Sequence, residues 1–162
     1  MPLEKPDQQH LRSAHGYVEL GMFDDANAAL EEIDPFCRHL PEVLVARVAI
    51  YHGLKNWELL AVVAKKLVEW NPGDPGHFID LAYATRRAES IQAAHAILKR
   101  AERLHSKEPT IQFNLACYEA QLGNLVQAKV HLEQATRIEP KFRSKALDDP
   151  DLKPIWNSLA AD

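Results

Sequence analysis

The sequence predicts an all-α protein of four tandem helix pairs closed by a C-terminal capping segment. Three observations carry that expectation. Small or apolar residues recur at one unbroken spacing: Ala14, Val48, Ala82 and Ala116 fill one slot, and Ala26, Leu60, Ala94 and Ala128 fill a second. Leu30, Ala64, Leu98 and Leu132 follow one helical turn after the second slot. The segment Phe113 to Pro140 then shows what each unit contains. Leu115, Ala116 and Leu122 stripe a first helix, and Ala128, Leu132 and Ala135 stripe a second. Leu122-Gly123-Asn124 joins them, because glycine can take the left-handed backbone that ends a helix. Paired alanines let two helix backbones approach closely.

Taken in order, residues 1–6 read as a flexible N-terminus and residues 7–142 as four repeats of about 7–40, 41–74, 75–108 and 109–142. Asp7, after Pro6, is a candidate N-cap. The first helix should stop at Gly21, with Phe23 plugging the turn and Asp24-Asp25 placing negative charge at the start of the next helix. Asp34-Pro35 should break that helix early, leaving 36–40 irregular. Pro41 starts the second pair, with Tyr51 and Trp57 as its aromatic wedges. Pro72-Gly73-Asp74-Pro75 is a turn opening the third. The turns at Lys55 and Glu89-Ser90 lack glycine, so a left-handed residue at either costs roughly 1 kcal/mol. Residues 143–162 form the cap: Leu152, Ile155, Trp156 and Leu159 make one helical stripe, starting at Pro150 or Asp151. A stacked array needs such a cover, because its last unit has an exposed apolar face.

Small residue, Gly turn, alanine and closing proline, in that order, resemble the helix-turn-helix unit of the tetratricopeptide repeat. The ending ALDDPDLKPIW is similar to the close of many bacterial members. The resemblance implies a right-handed α-solenoid of four such pairs and a function in binding, with the first helices lining the inner surface. Its groove-facing residues would be Leu11, Arg12, His15, Val45, Ala49, Ile79, Asp80, Tyr83, Arg86, Phe113, Asn114 and Cys117. Leu11, Val45, Ile79 and Phe113 would form an apolar track, with Arg86 as a bordering cation. Asn114 can donate to and accept from a peptide backbone. Members that grip C-terminal carboxylates use a clamp of lysine, asparagine and arginine. Here the matching positions hold Leu11, His15, Ala46, Gly76 and Asp80, so the clamp is absent. Leu59 and Val62 stand where such repeats place polar residues, which admits weak self-association on that helix.

Charge and chemistry narrow the function further. A net charge of −4 argues against a general nucleic-acid binder. Cys37 and Cys117 lie far apart without metal-ligand spacing and read as free thiols of a reducing compartment. The eight histidines show no HExxH or H-x3-H pattern and read as surface or groove residues, so no metal or other cofactor is implied. Cys37-Arg38-His39 lacks the base and oxyanion donors of a catalytic thiol, so no catalytic residue is assigned. Trp57 and Trp70 read as core, and the run 99–107 as a solvated basic helix end. No apolar run is long enough to span a membrane, so a cytoplasmic protein is expected. The leading reading is a non-catalytic scaffold, monomer or weak homodimer, that binds a peptide segment of another protein in the concave groove. Alternatives are a small bacterial chaperone or adaptor for a secreted or unfolded client, and an RNA-binding helical repeat, which the acidic charge opposes.

Overall fold

A computed structural model describes residues 2–160. Eight helices form four consecutive pairs: α1 Lys5–Glu19 with α2 Phe23–Glu31, α3 Pro41–Gly53 with α4 Trp57–Trp70, α5 Pro75–Ala88 with α6 Ile91–Leu104, and α7 Pro109–Gln121 with α8 Leu125–Ile138. The C-terminal segment follows as α9 Phe142–Asp148, a 3-10 helix Pro150–Ile155 and the short α10 Trp156–Leu159. There is no strand among the described residues. The chain divides into two compact units, Met1–Ala84 and Thr85–Asp162, with the boundary inside α5.

The periodic slots are the buried positions. Ala14, Ala82, Ala116, Ala26, Leu60, Ala94, Ala128, Leu30, Ala64 and Leu98 are fully inaccessible, and Leu132 is nearly so. Val48 is the exception; it sits half-buried at the edge of a cluster of Leu44, Val63 and Leu67. In the first unit Ala14, Ala26, Leu30, Ile33, Val43, Ala46 and Ile50 share one core. Arg47 of α3 ties α2 to that core by donating to Glu31 at 2.7 Å and Asn27 at 3.3 Å.

The N-terminus differs from the sequence expectation. Helix α1 begins at Lys5, two residues before Asp7, with Glu4 as its N-cap. Leu3 is buried in the core, and its carbonyl accepts from Gln8. Asp7 is buried as well, and its carboxylate accepts from the Asp34 backbone N–H at 3.1 Å. The residue that resembles a helix cap therefore anchors the loop after α2. That loop is irregular as the Asp34-Pro35 break implies: α2 is only nine residues long, and Arg38 clips the turn to the Ile33 carbonyl and the Glu31 carboxylate.

The turns within pairs divide into two kinds. After all four first helices the chain closes with a six-to-one bond, Met22 N–H to Tyr17, Asn56 N–H to Tyr51, Ser90 N–H to Thr85 and Asn124 N–H to Glu119. Gly21 and Gly123 take the left-handed position with φ of 71° and 86°, and Lys55 takes it with φ of 54°. The expectation of strain thus holds at Lys55 and fails at Glu89. There the α-helical bond continues, Glu89 N–H to Thr85 at 2.8 Å, and Ser90 enters the next helix extended, its hydroxyl accepting from Ala93 N–H.

The tail is more broken than a single amphipathic helix. Pro154 has no N–H to donate, so the segment carrying Leu152 and Ile155 winds as a 3-10 helix. Before it, α9 buries Phe142 and Ala146. Leu152 and Ile155 are inaccessible, whereas Trp156 is half-buried and donates its indole N–H to the Ala146 carbonyl at 2.9 Å.

Lys55→Gly is expected to be neutral or stabilising by up to about 1 kcal/mol, while Glu89→Gly should cost about 0.5–1 kcal/mol. Urea unfolding of the two variants compares them; equal shifts would overturn the different backbone assignments. Leu152→Ala should cost about 2–5 kcal/mol, and Trp156→Ala less, because the indole keeps solvent contact. Thermal melting that ranks them the other way would show the tryptophan to be the main anchor.

Candidate interaction surface

The first-helix positions of the first unit are open or half-open. Arg12, His15, Val45 and Ala49 are exposed, and Leu11, Ile79, Asp80 and Tyr83 are half-buried. Leu11 rests on the core of α1 to α3, so it contributes only part of its side chain to a surface. Val45 is 46% exposed on the face of α3 that the core does not use. Tyr83 belongs to an aromatic cluster with His52 (5.0 Å between centroids, stacked) and Trp57 (5.7 Å, edge-on). Burial pushes the Asp80 carboxyl above its ordinary value, against the pull of His52 and His77.

In the second unit the corresponding positions are already engaged by the chain itself. Phe113 and Cys117 are buried. The Phe113 ring lies 4.8 Å from that of Phe142, and the Lys145 ammonium stands 4.9 Å above it. Arg86 donates both guanidinium arms to the Asp151 carboxylate, at 2.5 and 3.0 Å, while stacking 5.2 Å over the Tyr118 ring. Gln121 donates to the Asp151 carbonyl at 2.8 Å, and the Cys117 thiol points to Asp149 at 3.8 Å. Asn114 is half-buried. Phe113 and Cys117 thus meet the tail instead of open solvent, a contact between distant residues that no local pattern encodes. A part-exposed ion pair contributes on the order of 1 kcal/mol even in good geometry. Burying Leu152 and Ile155 contributes roughly 1.5–3 kcal/mol each, so apolar contact is the larger share of what seats the tail.

The two thiols are not activated. Burial, then Asp34 and Asp7, push Cys37 up; burial, then Asp149 and Asp151, push Cys117 far above a usual thiol. Cys117, Asp149 and Asp151 form a compact cluster in which the thiol points to Asp149 and Arg86 holds Asp151. Burial also pushes the Tyr118 hydroxyl up to about 12, against the pull of Arg86.

Two further sequence expectations are corrected. His131 and His77 are buried, so the histidines are not uniformly surface residues. His131 Nδ1 bonds the Gln112 amide oxygen at 2.7 Å, and the Gln112 amide nitrogen donates to Glu102 at 3.2 Å. Nδ1 therefore carries the proton, since a carbonyl oxygen only accepts. Glu119, also buried, accepts from His95 and Asn124, both at 2.7 Å; these bonds hold it below the ordinary carboxyl value although burial opposes them. Trp70 is 59% exposed at the end of α4 and does not belong to the core. Leu59 and Val62 are exposed on the same helix.

No family model and no curated protein matches the chain. Solved structures do. A crystal structure of MamA protein superposes with a TM-score of 0.79 at 17% identity, covering 97% of this chain and 87% of that one. Residues 41 to the end of MamA from Desulfovibrio magneticus RS-1 give 0.75 at 15%, over 83% and 76%. A thermophilic TPR protein of Thermus thermophilus gives 0.64 at 23% identity, over 96% of this chain and all of that one. The fold is of the tetratricopeptide type. The all-α repeat class inferred from the periodic alanines is therefore the one the chain adopts. Among the described residues no helix is long and apolar enough to cross a membrane.

Burial lowers the His131 pKa, and Lys99 adds to this while Glu102 opposes it. As pH falls below about 6.5 the unfolded chain takes up that proton first, so stability present at neutral pH is lost on acidification. Wild type should therefore lose more stability than His131→Gln between about pH 7 and pH 5. Parallel chemical denaturation at the two pH values checks this; identical losses would exclude His131 as the source.

Proposed function

We propose that the chain is a non-catalytic interaction module that binds a peptide segment of another protein along the inner faces of its first helices. One observation carries the reading. Residues 149–155 of the chain lie against α7 and the end of α5, with carboxylates on Arg86 and Cys117, a carbonyl on Gln121 and two buried aliphatic side chains, features of the kind a bound peptide would offer. The first-unit positions offer a surface of related character. Val45 and Ala49 of α3 are apolar and exposed, Arg12 and His15 of α1 are polar and exposed, and Ile79 and Tyr83 of α5 are half-buried. In the second unit, Arg86, Phe113, Asn114 and Cys117 supply a cation, an aromatic ring, an amide and a thiol donor. A surface of short apolar patches supports modest affinity, with a dissociation constant on the order of micromolar. The chain's similarity to other tetratricopeptide folds agrees with a binding role and names no partner.

Val45 and Ala49 suit a test better than Tyr83, whose ring packs on His52 and Trp57. The double variant Val45→Asp/Ala49→Glu should melt like wild type yet lose the proteins that wild type captures from its native extract. Retention of the same captured set would move the working surface away from the first helices.

A further inference from the structure

The groups that α7 and the end of α5 direct at the tail are all donors: the Arg86 guanidinium, the Gln121 amide and the Cys117 thiol. The tail meets them only with acceptors, the carboxylates of Asp149 and Asp151 and the Asp151 carbonyl. Asp149 also accepts from the Asp151 backbone N–H at 3.0 Å, so the acidic turn is held in shape by its own residues. Pro150 and Pro154 restrict the same stretch, and a six-residue 3-10 helix has little stability apart from the surface beneath it. The repeat helices of this unit, by contrast, are built on buried alanine and leucine, as at Ala94, Leu98, Ala116 and Leu132. A donor-only rim around an apolar floor selects an acidic, aliphatic segment.

We propose that the α7 face bounded by Arg86 and Gln121 is a docking surface for an acidic turn of a partner protein, Asp-x-Asp followed by spaced aliphatic residues. Residues 149–155 occupy this surface in cis until such a segment displaces them. The proposal rests on the peptide-binding reading above and names the ligand chemistry and its competitor. Because the tail is tethered through α9, its effective concentration is high, and only a segment with matching acceptors competes. The cis occupant acts as a specificity filter and a threshold together.

Cys117, beneath the turn, reports on displacement, Cys37 reports on opening of the other unit, and far-UV helicity must stay at the wild-type level to exclude unfolding of the unit that holds Cys117. The full chain is treated with a maleimide and labelling is followed at each cysteine by mass spectrometry. Asp151→Asn removes the charge that Arg86 reads; Gln121→Glu, at an exposed position, sets a carboxylate against the Asp151 carbonyl and serves if the first variant folds poorly. Either variant should raise Cys117 labelling by about tenfold or more while Cys37 is unchanged. In the Asp151→Asn protein, whose α7 face is unaltered, a synthetic peptide of residues 147–160 should then slow Cys117 labelling again, and the same peptide carrying Asp149→Asn and Asp151→Asn should not. Cys117 and Cys37 rising together would make the tail an inseparable part of the fold and overturn the proposal, as would an acidic peptide that gives no protection. A concentration-dependent wild-type dimer with exchanged tails would assign the surface to a second copy and overturn the foreign partner. The Val45→Asp/Ala49→Glu capture result is independent of these outcomes, so the general binding reading can stand or fall separately.

Discussion

A row of amphipathic helix pairs cannot end without leaving an apolar face in water, and α7 is where this chain meets that constraint. Between Ile111 and Ala120 all its side chains except Asn114 are buried, including the polar Gln112 and Glu119. A helix apolar on one stripe needs one neighbour; a helix buried all round needs several. Helices α6 and α8 supply two, and α9 with the 3-10 helix supplies the rest. The buried polar groups follow from the same enclosure. Gln112 and Glu119 face helix neighbours that must offer partners, and His131, Glu102, His95 and Asn124 do so.

What could be read from the sequence was what the backbone geometry enforces locally. Alanines at 14, 26, 82, 94, 116 and 128 are fully buried, and their spacing alone located the paired helices. Gly21 and Gly123 announced their turns because few other residues reach a positive φ cheaply. Lys55 and Glu89 show the limit of that logic. Both stand at the same place in the repeat without glycine, and each precedes a side-chain N-cap, Asn56 or Ser90, yet one is left-handed and the other is not. The same turn can be closed with either backbone conformation, and the period marks only its position.

The candidate surface was legible in part for a different reason. Helical register sets Val45 and Ala49 apart from the buried stripe of α3, and both are exposed. Whether a position is open depends on segments far away in sequence. Phe113 and Cys117 are covered by residues about 30 positions later, through contacts that no local pattern encodes. The tail stripe of Leu152 and Ile155 was visible as apolar, but Pro154 changed its winding, and α9 had only Phe142 and Ala146 to announce it. Asp7 misled because a residue good at capping a helix is equally good at holding a loop.

The two units therefore present their first-helix positions in different electrostatic settings. In the first, Arg12, His15, Val45 and Ala49 are exposed, so a ligand there would meet a sparse surface with little to fix its orientation. In the second, the bidentate hold of Arg86 on Asp151 fixes direction as well as position, because a guanidinium reads a carboxylate only in its own plane. Apolar burial of Leu152 and Ile155 supplies most of the attachment, and the directed bonds supply the register. A competing segment must reproduce both to gain the site. Aliphatic residues without the acidic turn would lack a partner for Arg86, and the turn without aliphatic residues would leave the α7 floor wet. That joint requirement is how a weak, short contact can still discriminate.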